Sequence, residues 1–465
     1  MMRRQVYFEL ALIARDRRAL WSLIGLAILI LLAFGGLSLQ AARNDADKRE
    51  VAAAERARWV GQGTKDPHSA AHYSIFAFKT APALEALDPG AGPFVGQAIW
   101  LEAHHQNDML HRPQQNASVM QRMGLASPAG LIFELGPLVA FLLAFTVIAQ
   151  DREQGTMRLA LGSARRPWRI IAAKVLAIET ALVGALVLPV SLLTLILLTL
   201  QGRVEADVVL RLTLWASLGA FYLGVFAALG AVVALRASSA RLALTALFSV
   251  WIVLALVLPR AAGGVAERLV PLPSSQEVRQ QLLDAAPAYW TAEQAERNKQ
   301  AILRRYGVAR VEDVPNYRMA ELDLMERHSH AVFDRVLGGF YDKVAAQDRV
   351  FAALGAVSPA IAAQSLSAGA TGADFGHHRH FIGHAERYRR DLVNRMNGDG
   401  MSHAVQGTQR HTADARLWSQ IPAFSYRPPR LGEVPDTTSM ALAALLLWTV
   451  GALCALGLAA RGLKP

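Results

Sequence analysis

The chain has 465 residues, 53% of them hydrophobic, with a mean hydropathy of +0.25 and a formal net charge of +11. That composition excludes an ordinary soluble globular protein of this size. A single cysteine, Cys454, excludes an outer domain stapled by disulfides, so any exported segment must hold together by packing.

Residues 3–18 (RRQVYFELALIARDRR) mix apolar side chains with five arginines and predict an interfacial helix. The first apolar run, 20–39, is longer than the core of a secretory signal and reads as a retained anchor. Residues 42–60 are rich in Ala, Arg, Glu and Asp and predict a helix. Over 61–93, glycine and proline break the chain into irregular structure. Further apolar runs follow at 131–149, 170–200, 208–235, 242–258 and 440–460. Each is long enough to cross roughly 30 Å of hydrocarbon, and the run at 170–200 has length to tilt or to break near Pro189.

The long polar stretch before the last run is mostly helical by pattern. Ser274 and Glu277 have capping-box spacing, and 291–305 and 319–352 repeat apolar residues near every 3.6 positions. Ser358-Pro359 and the glycines of 369–376 interrupt it, and a last amphipathic helix is expected over about 377–397. No alternating run longer than about five residues marks a strand.

Charge sets the orientation. Residues 42–128 carry 9 basic and 9 acidic groups, and 260–436 carry 22 and 20, so +9 of the +11 lies in the spans and their short loops. Arginines gather at 3–18, at 152–169, at 236–241 and at Arg461, which predicts six crossings with both termini cytoplasmic. The high pI is therefore a topology signal, and no nucleic-acid partner is expected. The expected organisation is an interfacial helix and first span over 1–41, and an extracytoplasmic insertion over 42–128. Spans two to five follow over 129–259, with a cytoplasmic element at 150–168. A helical extracytoplasmic insertion occupies 260–436, and the last span and tail 437–465.

That cytoplasmic element reads DREQGTMRLALGSARRPWR from Asp151 to Arg169. Gly155 supplies a turn, Thr156 is expected to cap the helix that follows, and Arg158, Arg165 and Arg166 reach toward lipid phosphates or acidic groups of a partner. Among ionisable residues in or near spans, Lys174 and Arg211 lie close to span ends and are expected to snorkel, and Glu134 to be interfacial. Glu179 lies about two turns into its span and is the best candidate for an intramembrane polar contact.

Four histidines fall within 377–384, but there is no HExxH, and Arg379 and Arg387 oppose a cation. A polar helix surface is the expected reading, with no metal site. His104-His105 and His328/His330 signal less. No GxxxxGK[ST], nucleophile elbow or paired-carboxylate motif is present, so no catalytic residue is assigned and no cofactor is expected on this chain.

The layout and the segment Asp151-Arg152-Glu153-Gln154-Gly155-Thr156, Ser163 to Pro167 and Lys174 resemble the ABC-2 family of ABC-transporter permeases. The polar stretch resembles the large domain of unknown function that a bacterial subgroup inserts before its last span. The matching pieces are Arg305-Tyr306-Gly307-Val308, Val311 to Pro315, Ser358-Pro359, Gly372 to Asp374 and His377-His378 with Phe381, Tyr388 and Asn397.

The resemblance implies a mainly α, polytopic fold of six transmembrane helices in the inner membrane. The chain would be a permease subunit, an exporter by analogy, that hydrolyses nothing itself. ATP and Mg would sit on a separate dimer of ATP-binding subunits. The other partners implied are a second copy or a sister permease, the bilayer and a periplasmic component. Asp151, Arg152, Glu153, Gly155, Thr156, Arg158, Arg165 and Arg166 would couple to the ATPase. The alternative is a mechanotransmitter that moves its outer domain and carries no cargo. A membrane-anchored metalloenzyme built on the histidines of 377–384 is the remote third reading.

Overall fold

The computed structural model describes residues 2–110, 127–163, 166, 168–285, 291–403, 411–434 and 438–461. Helix α1 (Met2–Arg15) is followed at once by α2 (Arg17–Val60). Asp16 makes the break: its carboxylate accepts the N–H of Arg18 at 2.8 Å and of Ala19 at 3.3 Å and starts the second helix. The 44 residues of α2 run without interruption, about 66 Å, which is twice the hydrocarbon thickness. The expected helix at 42–60 is thus the far half of the first span.

Beyond α2 come α3 (Pro67–Ala71) and an antiparallel sheet of β1 (Ile75–Phe78), β2 (Ala98–Leu101) and β3 (Gln106–Leu110), in the order β1-β2-β3. Ile75 pairs with Leu101 and Phe78 with Ala98. Ala77, Ile99 and Leu101 are buried on one face, while the rings of Phe76 and Trp100 meet at a tilt, 4.5 Å apart, on the other. Strands of four or five residues sit at the limit of what alternation reveals, so 61–110 holds a sheet where irregular chain was expected.

The remaining five spans are α4 (Pro128–Glu153), α6 (Trp168–Leu200), α7 (Ala206–Arg236), α8 (Ala240–Leu269) and, after the polar domain, α15 (Thr438–Arg461); α5 (Thr156–Ser163) lies between α4 and α6. With α2 they make six helices long and apolar enough to cross a membrane. α4 and α7 form the centre, with 72% and 67% of their apolar stretches buried against 22–39% for the other four. Close packing there needs small residues: a Cβ on Gly230 of α7 would lie 2.8 Å from the Ala144 Cβ of α4. Three spans contain a wide π turn. Those at Val183–Val187 and Ile252–Val257 end just before Pro189 and Pro259, whose rings displace the carbonyls four residues back. The run at 170–200 therefore neither stops nor breaks at Pro189. The third, Phe145–Ala149, has no such proline and directly precedes Asp151.

The polar stretch folds into α9 (Ser275–Ala285), α10 (Ala292–Tyr306), α11 (Tyr317–Ala353), α12 (Pro359–Thr371), α13 (Phe375–Ser402) and α14 (Ala415–Gln420). The capping box holds: the Ser274 N–H donates to Glu277 at 2.7 Å and the Glu277 N–H to Ser274 Oγ at 3.2 Å. The two polar stretches form one domain, because Phe381, Ile382 and Ala385 of α13 join the core of Ile99, Leu101 and Trp59.

α12 departs from the expected organisation. It is not an outer surface helix; it packs on α7 and α15, and Ala360, Ala362, Ala363 and Ala370 belong to the core of the spans. Ser358 caps it and donates to the Leu254 carbonyl of α8 at 2.5 Å, and Trp448 of α15 donates to the Gly355 carbonyl at 3.0 Å. Residues 354–371 therefore pack into the domain end of the bundle, bonded to the spans through Ser358 and the Gly355 carbonyl and to Asp88 of the first polar stretch through Ser367 and Thr371.

Candidate functional site

The Asp151 turn lies at the end of the bundle remote from the domain. α4 ends at Glu153, and the chain reverses through Gly155 at φ +78°, a left-handed conformation that suits glycine. Thr156 does not cap α5 as expected; its hydroxyl donates back to the Asp151 carbonyl at 3.0 Å and closes the turn. α5 is amphipathic. Met157 and Leu161, one turn apart, are 2% and 4% exposed, while Leu159 between them is 78% exposed. Glu153, Arg158 and Arg166 are exposed around Leu159; Arg165 lies outside the described residues.

Behind that face is a buried charge cluster. The Lys174 ammonium of α6 is 2.7 Å from Asp151 and 2.9 Å from Glu9 of α1, and the lysine is 3% exposed. It does not snorkel. Two carboxylates meet it where α1, α4 and α6 converge, and an isolated charge at that depth would cost far more than a paired one. Burial lifts the Glu9 carboxyl above its ordinary value, more than the neighbouring Lys174 lowers it. Arg152 reaches sideways and donates to the carbonyls of Ala234 and Ala237 at 2.8 Å each, capping the C-terminal end of α7, where a cation is favoured. One dipeptide, Asp151-Arg152, thus ties α4 to α6 and α7, and through Lys174 to α1.

Glu179 lies farther along α6. Its carboxylate faces Gly224 of α7, where an added Cβ would come within 3.0 Å of Oε1, and among the described residues it has no ion-pair partner. Glu134, less than two turns from the start of α4, is buried and pairs with Arg260 at 3.2 Å.

At the domain end, Arg211 is 6% exposed and likewise does not snorkel. It pairs with Asp207 at 2.7 Å and donates to the carbonyls of Gly369 at 3.2 Å, Ala370 at 3.4 Å and Pro429 at 3.1 Å. His377, anchored by Asp374 at 2.6 Å, lies 3.4 Å from the same guanidinium. Arg211 therefore fastens α7 to the end of α12 and to the domain. Next to it, Trp215 donates to Ser367, whose hydroxyl contacts Asp88. Of the other histidines of 377–384, His380 meets the Tyr426 hydroxyl at 3.1 Å, His384 meets the Ser425 carbonyl at 2.9 Å, and His378 is buried near the Phe375 ring.

Sequence reasoning missed Glu9, Asp88 and the α12 segment. A signal for the segment was present, because residues 350–373 carry no acid or base within a stretch otherwise dense in both. Glu9 is the only acid among the apolar and arginine residues up to Arg15.

Residues 13–296 match the family model for ABC-2 family transporter proteins, and residues 276–427 match a domain of unknown function, DUF3526. The first match covers well over half of the chain, and the chain belongs to the ABC-2 transporter family. It is a membrane permease domain with an accessory, mostly helical domain set before its last span. Comparison with curated proteins and with solved structures found no match.

Proposed function

We propose that this chain is the membrane subunit of an ATP-driven exporter in a bacterial cytoplasmic membrane, with both termini in the cytoplasm and the polar domain outside. ATP is hydrolysed on a separate pair of subunits, and a second permease, a copy or a sister chain, completes the pore. The exposed face of Glu153, Arg158, Leu159 and Arg166 receives the ATPase. The observation that carries this reading is the backing of that face: Leu159 stands out from a helix whose root, Asp151-Arg152, is bonded to α6 and α7 directly and to α1 through Lys174. A push on α5 would be delivered to α1, α6 and α7 together, and α7 would pass it to the domain through Arg211.

The cargo that fits is an amphiphile with an acidic head. The spans offer few polar groups, and a cavity of about 510 Å³ opens beside the far half of α2. Lys48, Arg49, Arg56, Lys79 and Arg203 line it against Asp45 and Glu55, with Phe76, Phe78, Trp59 and Tyr426 between them. A second reading, movement of the domain without a cargo, is favoured by the α12 segment, which fills the domain end of the bundle.

Reconstitution with the co-purified ATP-hydrolysing subunit tests the assignment. Gly155→Val, strained at φ +78°, should leave insertion intact and separate ATP hydrolysis from transport or domain movement. Normal coupling in that variant, or a purified complex without any ATPase, would refute it.

A further inference from the structure

A cluster of imidazoles lies in the polar domain, away from the spans and from the histidines of 377–384. His68 and His72 are one turn apart on α3, and His104 is on the turn between β2 and β3. One ligand atom from each comes within 4.8 Å of the others. The Nε2 atoms of His68 and His72 are 3.2 Å apart. Two nitrogens on one tetrahedral zinc, each at about 2.05 Å, would lie ~3.3 Å apart.

The far sides of two of the rings are held. His68 Nδ1 faces the Asn397 amide oxygen at 3.1 Å, and Asn397 is fully buried on α13. His104 Nδ1 contacts the carboxylate of Glu326, which is 2% exposed on α11. An acceptor at Nδ1 fixes the proton there and turns the Nε2 lone pair toward the other rings. That is the arrangement found behind metal-ligating histidines. His72, on the exposed side, completes three nitrogen donors and leaves a fourth direction open to solvent.

We propose that His68, His72 and His104 bind one divalent transition-metal ion, zinc by preference, with a water or an exogenous ligand in the fourth position. Three imidazoles without sulfur suit zinc, and an open position is the mark of a site that can exchange a ligand. The ion would join α3 to the β2–β3 turn, both from the first polar stretch. Asn397 and Glu326 would brace it from the second, so binding would tighten the union of the two.

The test uses the full chain with its ATPase partner, purified without a polyhistidine tag, stripped with chelator and dialysed against low-micromolar zinc. Elemental analysis should find about one zinc per chain, absent in His72→Ala and His104→Ala and retained in His380→Ala. Glu326→Gln should weaken affinity 10–100-fold. Cobalt in place of zinc should give the visible bands of a tetrahedral nitrogen site in the wild-type protein, a readout independent of whether any variant folds. Zinc at background level in the wild type overturns the proposal. So does equal zinc in His72→Ala, or zinc that leaves instead with His403→Ala, beside Asp399 and His411.

Discussion

Arg152 and Arg211 grip opposite ends of the same helix. Arg152 bonds the Ala234 and Ala237 carbonyls where α7 finishes, and Arg211, in the second turn of α7, bonds the carbonyls that end α12. Between them α7 is 31 residues long, about 46 Å, and mostly buried. Its two fastenings use the same chemistry, a guanidinium on the carbonyl end of a helix.

Replacing Arg211 by methionine should therefore loosen the domain. The change leaves the Gly369 and Ala370 carbonyls without their donor and Asp207 with only the Leu431 N–H, and a buried acceptor left unsatisfied costs about 1–3 kcal/mol. Limited proteolysis should cut between α12 and α13 sooner than in the wild type, while the spans stay protected. Unchanged protection would show that Arg211 does not hold the domain.

Lys174→Met should be among the most damaging single changes at the other end, because Glu9 and Asp151 would be left facing each other in a buried site. The expected loss is about 3–5 kcal/mol. The triple variant with Glu9→Gln and Asp151→Asn should regain much of it, since like-charge repulsion and charge burial are removed together. Thermal unfolding in detergent compares the three proteins; a triple variant no better than Lys174→Met would argue against the charge cluster.

Leu159→Asp should leave the fold intact, as the side chain is 78% exposed and touches no core. Capture of the ATP-hydrolysing subunit should fall about tenfold or more, the size of an interface hot spot. Met157→Asp, one turn of the same helix but buried, should instead destabilise the chain. Retained capture by Leu159→Asp would move the docking face elsewhere.

The domain should weaken in mild acid through His330. Burial, with Arg389 and Arg390 nearby, lowers its pKa from 6.5 to about 4, against the opposing pull of Glu326 and Glu386. The unfolded chain then binds a proton between pH 6.5 and 4 that the folded domain refuses, so stability falls as pH drops through that window. The contribution is at most about 3 kcal/mol. His330→Gln should flatten the difference in unfolding midpoint between pH 7 and pH 4.5; an unaltered slope would exclude this histidine as the cause.

Periodicity and apolar length made the six spans legible, together with the capping box at Ser274 and the Gly155 turn, because each depends on neighbours close in sequence. The bond of Lys174 to Glu9 and those of Arg211 to the end of α12 were not legible, since these partners lie 165 and 158 residues away, whereas Asp207 stands only four residues before Arg211. A lone cation near a span end reads as snorkelling until the fold brings a carboxylate to it. α12 was hidden for another reason. Its 13 residues are too few to cross a membrane and too rich in Ala, Ser and Gly to stand out as apolar, yet small residues are what let it lie between α7 and α15. The α3 histidines carry no recognised spacing with His104, 32 residues on from His72, and only the β2–β3 turn brings them together.

α2 is a shaft. No proline or π turn relieves it from Arg17 to Val60, and both ends are held, at Asp16 by its cap and at the far tip by the bonds of Arg56 to Ile421 and Trp59 to Trp418. A rod fixed in this way has no joint at which to absorb torsion. Any roll of its lipid-embedded half must turn the tryptophan pair at its tip through nearly the same angle, so rotation, as much as tilt, is a motion this architecture carries from one side of the bilayer to the other.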